Sequence, residues 1–319
     1  MLSSWLSFNW IMYRKALVFG RLLRLPCARV VQAAPGFFKK TAAFFVALFQ
    51  LFGALIFDWP TTPDGPPIDM DKFELVWSDE FGAGPLDTDV WGGVWDWDPS
   101  GPHPLDNAYV DPAQISFDGD NMIFTTEWKE DGKHGPGYYT CCILSRPDYT
   151  AGGIGYEQKY GYFEIRCILP EGDGINTAFW LLSNGMFLNK PSGVGGAEID
   201  VFETKTNPSG AHKRWKDSVY HTIHVGGYNN PNHKNQMVGH FYVDEPTKKF
   251  NTYGVEWNEN EYIWYINGVE SARTSFAGPC REPMYLLLSV QIDENIQYNE
   301  HLPADFIVDY VRAYQYKDA

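Results

Sequence analysis

From Phe73 onward the chain alternates apolar and polar side chains over short stretches rich in Val, Ile, Tyr, Phe and Trp, with Gly, Pro, Asn or Asp between them. That period-two pattern belongs to half-buried antiparallel strands. It predicts strands at Phe73–Trp77, Met122–Glu127, Tyr138–Ser145, Tyr160–Leu169, Thr177–Ser183, Ala197–Thr204, Val219–Val225, Tyr253–Asn258, Tyr262–Ile266, Met284–Gln291 and Phe306–Tyr316. Asp118-Gly119-Asp120-Asn121 and Asn267-Gly268 supply hairpin turns tolerant of positive φ. No stretch of this body keeps helical periodicity for three turns. About a dozen strands need two stacked sheets to bury their inner faces, so the pattern predicts an all-β fold, a large antiparallel β-sandwich of jelly-roll type. The absence of a fixed-period repeat argues against a propeller or solenoid.

The first sixty residues read differently. Thr41–Phe57 is an apolar run interrupted by Gln50 and preceded by Lys39-Lys40, at the lower edge of the roughly 17 to 25 residues that cross a bilayer. Two readings compete, an uncleaved signal-anchor helix and the apolar core of a long secretion leader. The lack of a clear small-x-small cleavage site after the run favours the anchor. Residues 1–58 form the basic segment, with the signal or anchor at 41–57; 59–72 read as a Pro-rich linker and 73–319 as one all-β domain. Nothing assigns a role to residues 1–40. Basic residues before the run and an acidic body after it place the body outside the cell, secreted or membrane-anchored.

Charge sharpens this division. The chain carries 25 Lys+Arg and 40 Asp+Glu, a net −15. Seven of the basic residues and none of the acidic ones lie in residues 1–57, which leaves 18 − 40 = −22 for the rest. A body this acidic argues against nucleic acid as a partner. Five cysteines are too few for a disulfide scaffold, and neighbouring Cys141 and Cys142 would point to opposite faces of a strand. A single domain of this kind is expected to be monomeric.

The chemistry gathers in Gly196-Ala197-Glu198-Ile199-Asp200-Val201-Phe202-Glu203-Thr204. In a regular strand Glu198 and Asp200 share one face and Glu203 takes the other. Val201-Phe202 puts two apolar residues where one is expected, and a β-bulge there would bring Glu203 beside the first two acids. The glutamates would then stand about 13 Å apart at Cα, and inward-leaning side chains bring the carboxyls to about the 5 to 5.5 Å of a retaining glycosidase. Glu198 is the expected nucleophile, Glu203 the acid/base and Asp200 the group between them that shares a proton. The competing reading is a solvated acidic strand. Against it stands the mutual repulsion of three like charges in residue types that disfavour strands. This chemistry needs no cofactor.

The Glu-Ile-Asp-x-x-Glu motif resembles the active-site strand of glycoside hydrolase family 16, in its bulged subgroup of laminarinases, agarases and carrageenases. Phe73 to Phe81, Leu86-Asp87 with Trp91, Tyr160 to Arg166, Ala178 to Leu182, Tyr253 to Trp257 and Val308 to Arg312 resemble further strands of that family in order. The resemblance implies a concanavalin A-like jelly roll with a concave groove, a polysaccharide partner, and retaining endo-hydrolysis of β-linked glucan or galactan. It gives Glu198, Asp200 and Glu203 the same three roles. A transglycosylase remodelling a cell-surface polysaccharide, or a non-catalytic carbohydrate-binding protein, are the alternatives.

Substrate-binding candidates follow. Glu164 and Arg166 match family positions that hydrogen-bond a sugar, against the alternative of an exposed ion pair. Trp180 matches a groove aromatic, with a core Trp as its rival. Trp95, clustered with Trp91 and Trp97 in a Gly- and Pro-rich loop, suggests a sugar platform at one groove end, and Asn107 matches an asparagine of the family's early loop. His221 and His224, three apart in a strand, face opposite sides and cannot share a metal, and His224 either borders the groove or is a satisfied structural histidine. Asp309 matches the side-chain ligand of a structural calcium. Pro191 to Gly196 lacks the tryptophan that laminarinase-like members carry there, which weakens β-1,3-glucan specificity.

Overall fold

The structure, a computed structural model, describes residues 60–82, 84–93, 104–105, 107–172, 174–188, 190–204, 217–228, 231–292 and 302–317, all within the unit that starts at Pro60. The apolar run at 41–57, Trp95 and Trp97 lie outside the described residues. Among the described residues no helix is long and apolar enough to cross a membrane.

The strands, in chain order, are β1 (Phe73–Asp79), β2 (Gly92–Gly93), β3 (Pro104–Leu105), β4 (Ala108–Val110), β5 (Ile115–Phe117), β6 (Met122–Lys129), β7 (Gly137–Thr140), β8 (Cys142–Leu144), β9 (Glu157–Gln158), β10 (Gly161–Ile168), β11 (Ile175–Leu182), β12 (Ala197–Glu203), β13 (Ser218–Val225), β14 (Lys234–Tyr242), β15 (Asn251–Trp257), β16 (Tyr262–Ile266), β17 (Val269–Thr274), β18 (Met284–Ile292) and β19 (Ala304–Tyr316). One sheet runs β17-β16-β15-β10-β19-β6-β7-β4-β3, with β1 on β19 and β5 on β6; the other runs β14-β13-β12-β11-β18-β8-β2, with β9 on β18. Pairing is antiparallel apart from β4 with β7. The architecture is the antiparallel jelly-roll sandwich that the alternation predicts.

Alternation decides which side chains meet between the sheets. Phe163, Ile165 and Cys167 of β10 join Leu181, Ile199, Ile223 and Leu288 in one buried cluster, and Trp257, Trp264 and Phe179 fill its centre. Expected strand Tyr138–Ser145 breaks at Cys141, so β7 belongs to one sheet and β8 to the other. Cys141 then packs in the intersheet core and Cys142 on the opposite face of the second sheet. Cys141, Cys142, Cys167 and Cys280 are buried free thiols. The Asn267-Gly268 turn has φ of 50° and 73°, as a tight hairpin of that sequence requires.

The Pro-rich segment is docked. Thr61 N–H donates to His240 O (2.9 Å) and Thr61 O accepts from Tyr242 N–H (2.8 Å), both in β14. Gly65 and Pro66 exchange hydrogen bonds with Glu270 of β17 at 3.0 Å each, and Ile68 N–H reaches Gly268 O at 2.9 Å. A side chain at Gly65 would come within 2.7 Å of Glu270 Cβ, so the approach requires glycine. β14 and β17 are the end strands of the two sheets, whose unpaired backbone groups otherwise invite association. Prolines, lacking N–H, fit such an edge but no strand interior.

Candidate active site on the bulged strand

Strand β12 lies between β11 and β13. Glu198 faces Leu182 and His224, Asp200 faces Trp180 and Thr222, and Glu203 faces Ala178 and Tyr220. The register slips between Asp200 and Glu203, where Val201 and Phe202 together oppose His221. This is the bulge expected at Val201-Phe202, and it sets all three acids opposite alternate residues of one β13 face. Val201 and Phe202 are both fully buried in the intersheet core.

A bulge deprives backbone groups of ladder partners, and buried carbonyls left unpaired are costly. Side chains from the core side replace those partners. Val201 O accepts from His221 Nδ1 at 2.7 Å, and Asp200 O accepts from Trp264 Nε1 at 3.0 Å. Because a carbonyl only accepts, Nδ1 carries the proton and Nε2 accepts from Ser271 Oγ at 2.9 Å. Burial lowers the His221 pKa to about 3, so the ring is neutral and suited to one donor and one acceptor bond. His221 stacks on Trp264 at 5.6 Å and 19°.

On the other face the acids are desolvated. Asp200 is 4% exposed and Glu198 6%. Burial, then repulsion from Glu203 and a hydrogen bond with it, raises Asp200 well above the usual carboxylate range. Burial first, and Asp200 second, pushes Glu198 up to about 8, opposed by His224 and by the Tyr228 hydroxyl, which donates to Glu198 Oε2. Tyr220 hydrogen-bonds Glu203 from the facing strand. His224 Nε2 stands 3.4 Å from Asp200 Oδ2 and 4.0 Å from Glu198 Oε1, while its Nδ1 meets His233 Nε2 at 3.1 Å. Interacting acids of unequal proton affinity on one desolvated strip can supply both an anionic nucleophile and a proton donor.

Half-buried Trp180 lies beside Asp200 and donates from Nε1 to Ser289 Oγ at 3.1 Å. Beyond it an apolar floor of Leu182, Tyr285, Leu287 and Leu144 continues across the same sheet, with the Arg146 guanidinium over the Tyr149 and Tyr285 rings. His224 faces this strip, and His221 faces the core, as their odd spacing requires. Asn107 lies in the turn before β4, its side chain exposed and its N–H bonded to Ile292 O (3.3 Å) at the end of β18.

Three expectations need correction. Glu164 and Arg166 lie on β10, in the other sheet, and point away from the intersheet core, so they cannot line this strip. Alternation had correctly put them on one face, but the face is the outer one of the opposite layer. Trp91 is no platform: it is 1% exposed and donates from Nε1 to Asp79 Oδ2 at 2.8 Å. Asp309 is engaged by the Arg166 guanidinium, so its charge is already compensated by a cation of this chain, and the residues present do not fit a calcium there. Tyr220, Tyr228, His233, Arg146 and Tyr285 were missed. For Tyr220 the signal existed, since it lies four residues before His224 and therefore on the same face of β13.

Residues 124–292, more than half of the chain, match the family profile Glycosyl hydrolases family 16. The Glucan endo-1,3-beta-glucosidase A1 of Niallia circulans is 26% identical over 291 residues, covering 80% of this chain and 39% of that protein. The Beta-glucanase of Rhodothermus marinus is 25% identical over 272 residues, covering 76% of this chain and 86% of that one. The chain therefore spans about two fifths of the first relative and most of the second. A mutant of SCLam, a non-specific endo-beta-1,3(4)-glucanase co-crystallized with 1,3-beta-D-cellobiosyl-cellobiose, has the same fold: TM-score 0.62 at 23% identity, covering 80% of this chain and 100% of that one. The β12 acids and strands β7 to β18 fall inside the matched span, and a match of that extent makes this chain a member of glycosyl hydrolases family 16.

Proposed function

We propose that the protein is an extracellular endo-acting glycosidase that cleaves β-linked glucan with retention of configuration. The observation that carries this is the bulge at Val201-Phe202, which lines buried Glu198 and Asp200 and half-buried Glu203 along one face. Glu198 attacks the anomeric carbon as Glu203 gives its proton to the departing glycosidic oxygen. Water then attacks the glycosyl-enzyme, Glu203 takes its proton, and the carboxylate of Glu198 leaves. Asp200 sits between them and is the most buried of the three, so it retains a proton. A neutral Asp200 removes the second-largest push on the Glu198 pKa, and the Tyr228 hydroxyl then stabilises the Glu198 anion. Trp180 offers a ring to the C–H face of a sugar beside Asp200.

Glucan is the preferred substrate class because the relatives' names point there. The connection after β11 lacks a tryptophan but exposes Phe187 and Leu188, at 52% and 63%, just beyond the Glu198 end of the strip. An apolar rim of this kind also suits an acceptor sugar, which keeps transglycosylation as a second reading. Reducing ends released from a panel of laminarin, lichenan, agarose and carrageenan, followed by product sizing, test the proposal. Release from the glucans, abolished in Glu198→Gln, supports hydrolysis; chains longer than the starting oligosaccharide support transfer; no product from any member overturns both. The segment at 41–57 is proposed to deliver the domain outside the membrane, anchored or secreted. Loss of the domain from intact cells on protease treatment, or its appearance in the medium, would support that placement.

A further inference from the structure

The strip adds to two of its acids a third donor, His224, that the hydrolytic chemistry does not use. One ligand atom from each of Glu198, Asp200 and His224 lies within 4.8 Å of the other two. Asp200 Oδ2 is buried and receives no hydrogen bond, although His224 Nε2 stands 3.4 Å away. Tyr228 occupies the other oxygen of Glu198, Oε2, leaving Oε1 turned toward His224.

We propose that Glu198, Asp200 and His224 bind one divalent transition ion of the zinc class, and that its occupancy blocks the site against sugar. Four zinc bonds of about 2.1 Å put neighbouring donor atoms about 3.4 Å apart. The Asp200–His224 separation of 3.4 Å already has that value, and the Glu198–His224 separation of 4.0 Å needs a shift of about half an ångström. The second shell is present too. His233 Nε2 accepts from His224 Nδ1 at 3.1 Å in one tautomer, which leaves the Nε2 lone pair of His224 facing the carboxylates, and their rings stack within 10°. Such a partner fixes the tautomer and the orientation of the ring as a ligand. One imidazole with two carboxylates suits zinc, copper or nickel, whereas calcium wants six or more oxygens. Three protein ligands leave a fourth position for water.

The blocking consequence rests on the reading of Glu198 as nucleophile; the binding itself does not. The test therefore titrates the full-length protein with cobalt chloride at neutral pH, following the visible absorption of four-coordinate cobalt, and then displaces it with zinc chloride. One equivalent is expected to bind wild type. Affinity should fall at least ~100-fold in His224→Gln and ~10-fold in His233→Gln. Absence of the cobalt band in wild type overturns the site, as does affinity unchanged in His224→Gln or, should that variant not fold, in His233→Gln. Zinc should inhibit glucan hydrolysis at the concentration where it binds, less so at higher glucan; inhibition unaffected by glucan overturns the blocking role. A protein that hydrolyses nothing still gives a decisive cobalt result.

Discussion

On β10, Glu164 accepts hydrogen bonds from the hydroxyls of Tyr162 at 2.7 Å and Tyr310 at 2.8 Å, and the charges around it are matched: Arg166 with Asp309, Arg312 with Glu80. On β12, three acids stand on one face, and among the described residues His224 is the basic side chain paired with Glu198 and Asp200. Both strands put carboxylates beside tyrosines. They differ in compensation. Ion pairs flanking Glu164, the one acid of β10, make that face an ordinary structural surface, whereas burial and mutual repulsion on β12 raise the proton affinity of Glu198 and Asp200. A carboxylate becomes chemically useful where the fold withholds its counter-charge.

Mutating one acid from each strand tests this contrast most severely. Glu198→Gln should cut the rate of glucan hydrolysis by ~10³-fold or more, while Glu164→Gln should leave it within about threefold and cost about 1 kcal/mol of stability from the lost tyrosine bonds. Reducing-end assays and denaturant melts read the two effects, and equal losses of rate in both variants would erase the distinction. Removing the bulge's support comes next. His221→Phe keeps the stacked ring but leaves Val201 O unpaired, so kcat should drop by ~10- to 100-fold with little change in KM, at a stability cost of about 1–3 kcal/mol. An unchanged kcat would mean the bulge holds without that bond.

The third measure is pH. Glu198 has a folded-state pKa raised to about 8 from the ordinary 4.5, so folding favours its neutral form relative to the unfolded chain. Stability from this group is complete below pH 4.5 and is lost as pH rises through about 8. Wild type should therefore melt progressively lower between those limits, and Glu198→Gln should flatten the trend by a few degrees. Parallel melting curves for the two proteins would contradict it. The smallest effect belongs to the compensated surface. Arg312→Gln breaks the exposed pair with Glu80, whose pKa the arginine's hydrogen bond lowers, and should cost less than ~1 kcal/mol with no change in rate.

Much of this was legible beforehand, and the boundaries of legibility have physical causes. Two consecutive apolar residues, Val201 and Phe202, announced the bulge because a strand has nowhere else to put a second core-facing side chain. Glu164 and Arg166 were placed on a shared face but in the wrong layer, since alternation fixes the face of a strand and says nothing about which sheet it joins. The prolines of 59–72 correctly excluded an interior strand, yet they equally permit docking on an edge, where a missing N–H does no harm. β14, polar along most of its length, escaped notice because an end strand buries little. Tyr228 reaches Glu198 across 30 residues of sequence, a contact with no local signature.

His221 has one further consequence. With its pKa near 3, the ring neither gains nor loses a proton anywhere in the range where a glycosidase is assayed. The mount is deaf to acidity while the instrument bolted to it is tuned by acidity. Each limb of an activity curve plotted against pH should thus trace the proton inventory of the carboxylates themselves, with no contribution from a sagging frame.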